Sequence, residues 1–146
     1  MNKIKIGING FGRIGRQVLK TINSNFKDSL EVVAINDLGD IRTSAHLLKY
    51  DSTHGRLQEK LEINDHGINI SGRYIKFFRE KSPENINWDK EGVQIVIEST
   101  GIFTDGNLAS SHLGGSVKKV VISAPAKNED ITIVLGVNHK DYDPKK

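Results

Sequence analysis

Three glycines spaced Gly10-x-Gly12-x-x-Gly15 end an alternating run, Lys3 to Ile8, and open a second run whose apolar residues Ile14, Val18, Leu19 and Ile22 recur at helical spacing. A strand that turns through glycines into a helix brings free backbone N–H groups and the positive end of a helix dipole to one point, which suits an anion. In such a turn Gly10 permits the tight bend, Gly12 lets the backbone approach a pyrophosphate, and Gly15 lets the helix pack close on the strand. Asp37 closes the next β-branched run, Glu31 to Asp37. It lies about 20 positions after Gly15, where a carboxylate accepts hydrogen bonds from a ribose 2′-hydroxyl. That carboxylate would repel a 2′-phosphate and Leu38 supplies no compensating charge, so NAD is favoured over NADP; Arg42 is the nearby cation that moderates the preference. A glycine pattern alone is weak in a chain with 14 glycines. Strand, helix and acid together rank dinucleotide binding above a solvated glycine turn.

The elements that must hold these residues alternate. Strand, helix and strand over residues 3–37 are followed by a shorter helical pattern through Ile41, Ala45 and Leu48, and then by the polar string Asp51 to Arg56. Residues 58–79 read as antiparallel ribbon, with tight turns at Asp65-His66-Gly67 and Ser71-Gly72. The parallel pattern resumes with a strand over Val93 to Glu98, a short helix from Asp105 to Leu113 stopped by Gly114-Gly115, and strands over Lys119 to Ser123 and Ile131 to Leu135. The fold class expected is α/β: a Rossmann-type, doubly wound, mostly parallel sheet with an antiparallel strand insertion, forming one domain over residues 1–146. Ser99-Thr100-Gly101 and Ser123-Ala124-Pro125 each follow the carboxyl end of a parallel strand. Ligands of open α/β sheets lie along that edge, so their joint placement there points to function beyond ordinary small-residue connections. Asp141 to Lys146 reads as a linker or an edge.

Composition removes other chemistries. With no cysteine there is no disulfide, thiolate metal site or cysteine nucleophile among these 146 residues. The net charge is only +3 and the basic residues are scattered, so a nucleic-acid partner is not expected. No apolar run approaches the roughly 20 residues of a membrane span. The first residues enter a strand pattern directly, so no signal peptide is expected and the expected location is cytoplasmic. No H-E-x-x-H occurs, and no G-K-[ST] follows the glycine loop. His46, His66, His112 and His139 lack triad spacing and are expected at the surface or as caps; a capped loop is the reading for Asp51-Ser52-Thr53-His54-Gly55. Trp88 and the Phe77-Phe78 pair are expected in the core or on a sheet face.

Several strings, in order, then carry a resemblance: Ile8 to Arg16, Ile35-Asn36-Asp37, Tyr50 to Gly55, Pro83 to Trp88, Glu98 to Gly101, Ser123 to Ala126, and Gly136-Val137-Asn138-His139. Over essentially its whole length the chain resembles the N-terminal, NAD-binding part of the phosphorylating glyceraldehyde-3-phosphate dehydrogenases. The resemblance implies cofactor contacts from Asn9, Gly10, Phe11, Gly12, Arg13, Ile14, Asn36, Asp37, Lys81, Ser99, Thr100, Gly101, Phe103, Ser123 and Ala124. Arg13 and Ile14 would lie over the pyrophosphate, Asp37 would hold the adenosine ribose, and Ser99, Thr100 and Phe103 would line the adenine side. Ser123 and Ala124 would approach the nicotinamide-side ribose. Where the family has an arginine before the tryptophan segment this chain reads Glu80-Lys81-Ser82-Pro83, so Lys81 is its counterpart.

In the family the motif Ser-Cys-Thr-Thr-Asn follows the Val-Asn-His segment, and these residues stop at Lys146 before it. The resemblance therefore implies the cofactor half of a glycolytic oxidoreductase and a separate catalytic domain, assembled as a homotetramer in the complete enzyme. Thiolate attack on the aldehyde, hydride transfer to NAD and phosphorolysis of the thioester would need groups outside these residues, so no catalytic or metal-binding residue is expected here. The cofactor half of an erythrose-4-phosphate dehydrogenase and a stand-alone nucleotide-binding module are the alternatives.

Overall fold

Ile6 and Ile8 face one side of strand β1 (Ile4–Asn9) and Gly7 faces the other, as the period of a strand requires. A β-carbon on Gly7 would lie 2.7 Å from the Trp88 ring, so its small size admits the indole to the sheet. The computed structural model describes residues 2–51 and 55–146; Met1, Ser52, Thr53 and His54 lie outside the described residues, and with them the centre of the Asp51 to Gly55 string.

β1 is followed by α1 (Arg13–Asn25), β2 (Leu30–Asn36), α2 (Ile41–Lys49), and a small pair, β3 (Tyr50–Asp51) and β4 (Gly55–Arg56). Then come β5 (Leu61–Ile63), β6 (Gly67–Ile70), β7 (Arg73–Phe78), β8 (Ile95–Glu98), α3 (Gly106–Ala109) and β9 (Lys119–Ile122). One sheet runs β5-β6-β7-β2-β1-β8-β9. β7, β2, β1, β8 and β9 are mutually parallel neighbours, while β5, β6 and β7 pair antiparallel. The α/β, mostly parallel architecture expected from the sequence is the one observed. β7 does more than the ribbon pattern implied, because its other edge joins β2 in the parallel sheet.

The chain moves outward from β1 through β2 to β7 and then returns to place β8 on the opposite side of β1. That reversal leaves a crevice between the carboxyl ends of β1 and β8. A bulge between Ile6 and Gly7 shifts the register, pairing Ile6 with Val32 and Gly7 with Ala34. Val32 and Ile35 can then share a face although they lie an odd number of residues apart. They join Leu19 and Ile22 of α1, Ala45 and Leu48 of α2, and Ile68, Ile70 and Ile75 in one core. Ala34, Val96, Trp88, Ile86, Val93 and Val117 form the core on the other face.

Three expectations need correction. Ile131 to Leu135 is not a strand. Its apolar side chains stay exposed, Leu135 at 84%, and the main chain turns, with Val137 and Asn138 N–H groups both donating to the Val134 carbonyl. β-branched composition needs a neighbouring strand and a buried face to become a strand, and the segment pairs with neither here. The helix expected over Asp105 to Leu113 is α only over Gly106–Ala109 and tightens to a 3₁₀ turn at Ser110–His112. Ile14, counted on the buried face of α1, is 52% exposed on the first turn of that helix. Among the described residues no helix is long and apolar enough to cross a membrane.

Candidate dinucleotide site

The carboxyl ends of β1, β2, β7, β8 and β9 lie along one edge, and the glycine loop, Asp37 and the loops at 99–101 and 123–125 leave from it. At its centre Gly10 has φ +91°, a conformation that side chains disfavour, and a β-carbon there would meet the Thr100 backbone nitrogen at 2.7 Å. The glycine loop is thereby pressed against the loop after β8. Ser99 fastens the two, its hydroxyl donating to the carbonyls of Gly10 at 2.7 Å and Asn9 at 3.1 Å. Gly15 closes the other side: a β-carbon there would collide with the Gly10 carbonyl oxygen, so α1 sits directly on the loop.

Gly12 faces open space. It begins α1 with no side-chain cap, and no acid occupies the first turn. The helix end keeps its positive pole for something external. Beside it Asp37 accepts the Phe11 N–H at 2.9 Å on one carboxylate oxygen and the Gly39 N–H at 3.0 Å on the other. An ionised carboxylate has about four acceptor positions, so two remain for a further partner such as a pair of hydroxyls.

The structure gathers Gly10, Gly12, Arg13, Ile14, Asp37, Ser99, Thr100 and Gly101 around this crevice, with Arg13 and Ile14 exposed on the first turn of α1. Phe11 departs from a ligand-facing role through its side chain, since its ring is buried and meets Phe77 edge-on at 6.5 Å. Asn9 and Asn36 are likewise buried. Lys81 is exposed beyond β7, Phe103 is half-buried beyond the β8 loop, and Ser123 and Ala124 follow β9, where the Ser123 hydroxyl donates to the Glu98 carbonyl at 3.3 Å.

His112 corrects the surface reading of the histidines. Its side chain is fully buried; the ring accepts the Trp88 indole N–H at Nδ1 (3.1 Å) and contacts the Glu98 carboxylate through Nε2 (2.8 Å). Because Nδ1 must accept from the indole, the proton sits on Nε2, and the contact with Glu98 is a hydrogen bond from a neutral ring rather than an ion pair. His46, His66 and His139 do lie at the surface. Glu98 also accepts from the Asn9 amide at 2.7 Å and from the backbone and hydroxyl of Thr100 at 3.0 and 2.7 Å. Burial pushes this carboxyl up, but the bonds from His112, Thr100 and Asn9 more than offset it and hold its pKa below the ordinary glutamate value. Beyond Asn9 the chain of bonds continues: the Asn36 side-chain amide donates to the Asn9 side-chain Oδ1 at 2.8 Å, and its own Oδ1 accepts the Glu80 N–H at 2.8 Å. The single signal in the sequence was an acid, Glu98, ending an otherwise apolar strand.

A parallel sheet with its reversal at β1 and β8, a glycine turn onto an uncapped helix and an acid ending the second strand define a dinucleotide-binding domain of the Rossmann class. Residues 4–106 match the family described as glyceraldehyde 3-phosphate dehydrogenase, NAD binding domain, and the chain belongs to it. It is 55% identical over 139 residues to glyceraldehyde-3-phosphate dehydrogenase 1 of Bacillus cereus, covering 95% of this chain and 41% of that protein. Against glyceraldehyde-3-phosphate dehydrogenase of Geobacillus stearothermophilus it is 55% identical over 142 residues, covering 97% and 42%. The enzyme of that name from Streptomyces coelicolor is 53% identical over 141 residues, again covering 97% and 42%. The chain thus spans about two-fifths of the length of these relatives.

Proposed function

We propose that residues 1–146 form one NAD-binding domain, the cofactor half of a phosphorylating glyceraldehyde-3-phosphate dehydrogenase. The complete enzyme would convert glyceraldehyde 3-phosphate, NAD and phosphate to 1,3-bisphosphoglycerate and NADH, as a cytoplasmic homotetramer. The names of the relatives support the reaction. The observation that carries the cofactor role is the juxtaposition of the uncapped α1 N-terminus with an Asp37 carboxylate that still has acceptor capacity.

In this reading the N–H groups of the first turn of α1, beside Gly12, Arg13 and Ile14, hold the pyrophosphate. Asp37 accepts the adenosine ribose hydroxyls and excludes a 2′-phosphate by charge. Ser99, Thr100, Gly101 and Phe103 line the adenine side, Lys81 closes it from β7, and Ser123 and Ala124 meet the second ribose. Asn9, Asn36 and Phe11 act from behind, holding the loops. NAD supplies the hydride acceptor; the thiol that attacks the aldehyde must come from elsewhere, since these residues include no cysteine.

Calorimetry of the chain with NAD, NADP, ADP-ribose and single-stranded RNA tests the cofactor role. NAD and ADP-ribose are expected to bind in preference to NADP, and RNA not at all. Salt-sensitive RNA binding without NAD binding would overturn it. In a companion assay with glyceraldehyde 3-phosphate, NAD and phosphate, the chain alone is expected to produce no NADH.

A further inference from the structure

The bonds centred on Glu98 all point toward its carboxylate, from the His112 side and from the Asn9 side. The Trp88 indole donates to His112, His112 donates to Glu98, and the Asn9 and Thr100 groups donate to the same carboxylate. Asn36 donates to Asn9 and receives the Glu80 N–H, while its amide also donates to the Glu80 carbonyl at 2.9 Å. The chain therefore touches the carboxyl ends of β1, β2, β7 and β8, the four strands whose loops make the crevice. Each amide has only one orientation that satisfies it, and Glu98 is the terminal acceptor that sets them all.

A buried carboxylate is a costly anchor. An apolar side chain of similar size often stabilises a fold as well or better, so the charge is expected where geometry matters more than stability. Its four donors are two on Thr100, one on Asn9 and one on His112. The groups facing it are Asn9 from β1, Thr100 from its own loop and His112 from the 110–112 turn; among the described residues no lysine or arginine forms an ion pair with it.

We propose that His112 and Glu98 are positioning residues for dinucleotide binding: His112, its tautomer fixed by Trp88, keeps the Glu98 carboxylate saturated, and that carboxylate fixes the Thr100 turn and the Asn9 amide from which the crevice loops hang. This rests on the NAD-binding reading of that crevice. Without the His112 donor the buried carboxyl takes up a proton more readily, at the Oε1 position that His112 vacates. A protonated Oε1 is a poor acceptor for the Asn9 amide, and the two Thr100 bonds to Oε2 lose the charge that strengthens them. The loop after β8 then loosens in acid.

NAD affinity of the unaltered chain, His112→Leu and His112→Gln, measured by calorimetry from pH 8 to pH 5, tests this. A glutamine can donate to Glu98 and accept from Trp88, whereas leucine only fills space. The unaltered chain and His112→Gln are expected to keep nearly flat profiles, while His112→Leu loses about tenfold in affinity toward pH 5. A flat profile with full affinity in His112→Leu would overturn the proposal. Should His112→Leu not fold, ¹⁵N NMR of the unaltered chain decides: the His112 ring must show a protonated Nε2 and a bare Nδ1 bonded to the single tryptophan indole, and a proton on Nδ1 overturns the proposal. If the unaltered chain fails to bind NAD, it is the NAD reading that fails, and the ring-nitrogen measurement still decides whether Trp88 fixes the tautomer.

Discussion

The Asp37 carboxylate accepts the Phe11 N–H at 2.9 Å, so the residue at the end of β2 is bonded to the glycine loop that follows β1. An acid placed to select a ribose thus also braces the loop that would meet the pyrophosphate. Asp37→Ala removes a charged acceptor from both tasks, and hydrogen bonds to charged groups contribute about 1.5–3 kcal/mol each. NAD affinity is expected to fall at least about tenfold, the preference over NADP to narrow, and the melting temperature to drop by a few degrees with the loss of the Phe11 and Gly39 bonds while unfolding stays cooperative. Calorimetry with both dinucleotides and a thermal melt check it; unchanged NAD affinity would remove Asp37 from the site.

Gly10 and Gly12 are two residues apart and should respond oppositely. Gly12 has φ −81° and faces open space, so Gly12→Ala should fold normally and lose dinucleotide binding, because the methyl occupies the approach to the helix end. Gly10→Ala combines a positive φ with a clash against the Thr100 backbone, and is expected to destabilise the fold by more than about 1–2 kcal/mol. Urea denaturation beside NAD titration separates a binding defect from a folding defect.

The Glu98 carboxyl has a folded pKa below its ordinary value. Its contribution is then fully present above the ordinary glutamate range and is lost as pH falls through the lowered folded value. Denaturation midpoints measured from pH 7 down to pH 3 should decline in the unaltered chain. In Glu98→Gln the part of that decline owed to this group should vanish. The variant should also be less stable at neutral pH by about 1–3 kcal/mol, because its amide group turns a donor toward the Thr100 N–H.

Asn9→Asp reverses the sign. It sets a second carboxylate against Glu98 at the 2.7 Å contact, so one carboxyl of the pair has a raised folded pKa. A group with a raised pKa binds more protons folded than unfolded, so stability falls as pH rises from about 4 toward 7. Urea midpoints at pH 4, 5, 6 and 7 should therefore drop across the series, the opposite slope to the unaltered chain.

The parallel sheet, the glycine turn and Asp37 were all legible in the sequence, because each is written in local spacing: period two, then 3.6, then a carboxylate closing a β-branched run. The resemblance added the family, since several strings in fixed order leave little room for coincidence. Composition alone determined that no thiol chemistry resides in these residues. Tertiary structure decided what no spacing could express. Ile131 to Leu135 has strand composition but finds no partner, because a strand is a property of a pair. Phe11, Asn9 and Asn36 sit within or beside the motif yet turn inward, since a side chain's direction follows from the packing of the whole sheet. His112 meets Glu98 only because β1, β8 and the turn after α3 converge, and a buried polar group must find its partners wherever the fold places them.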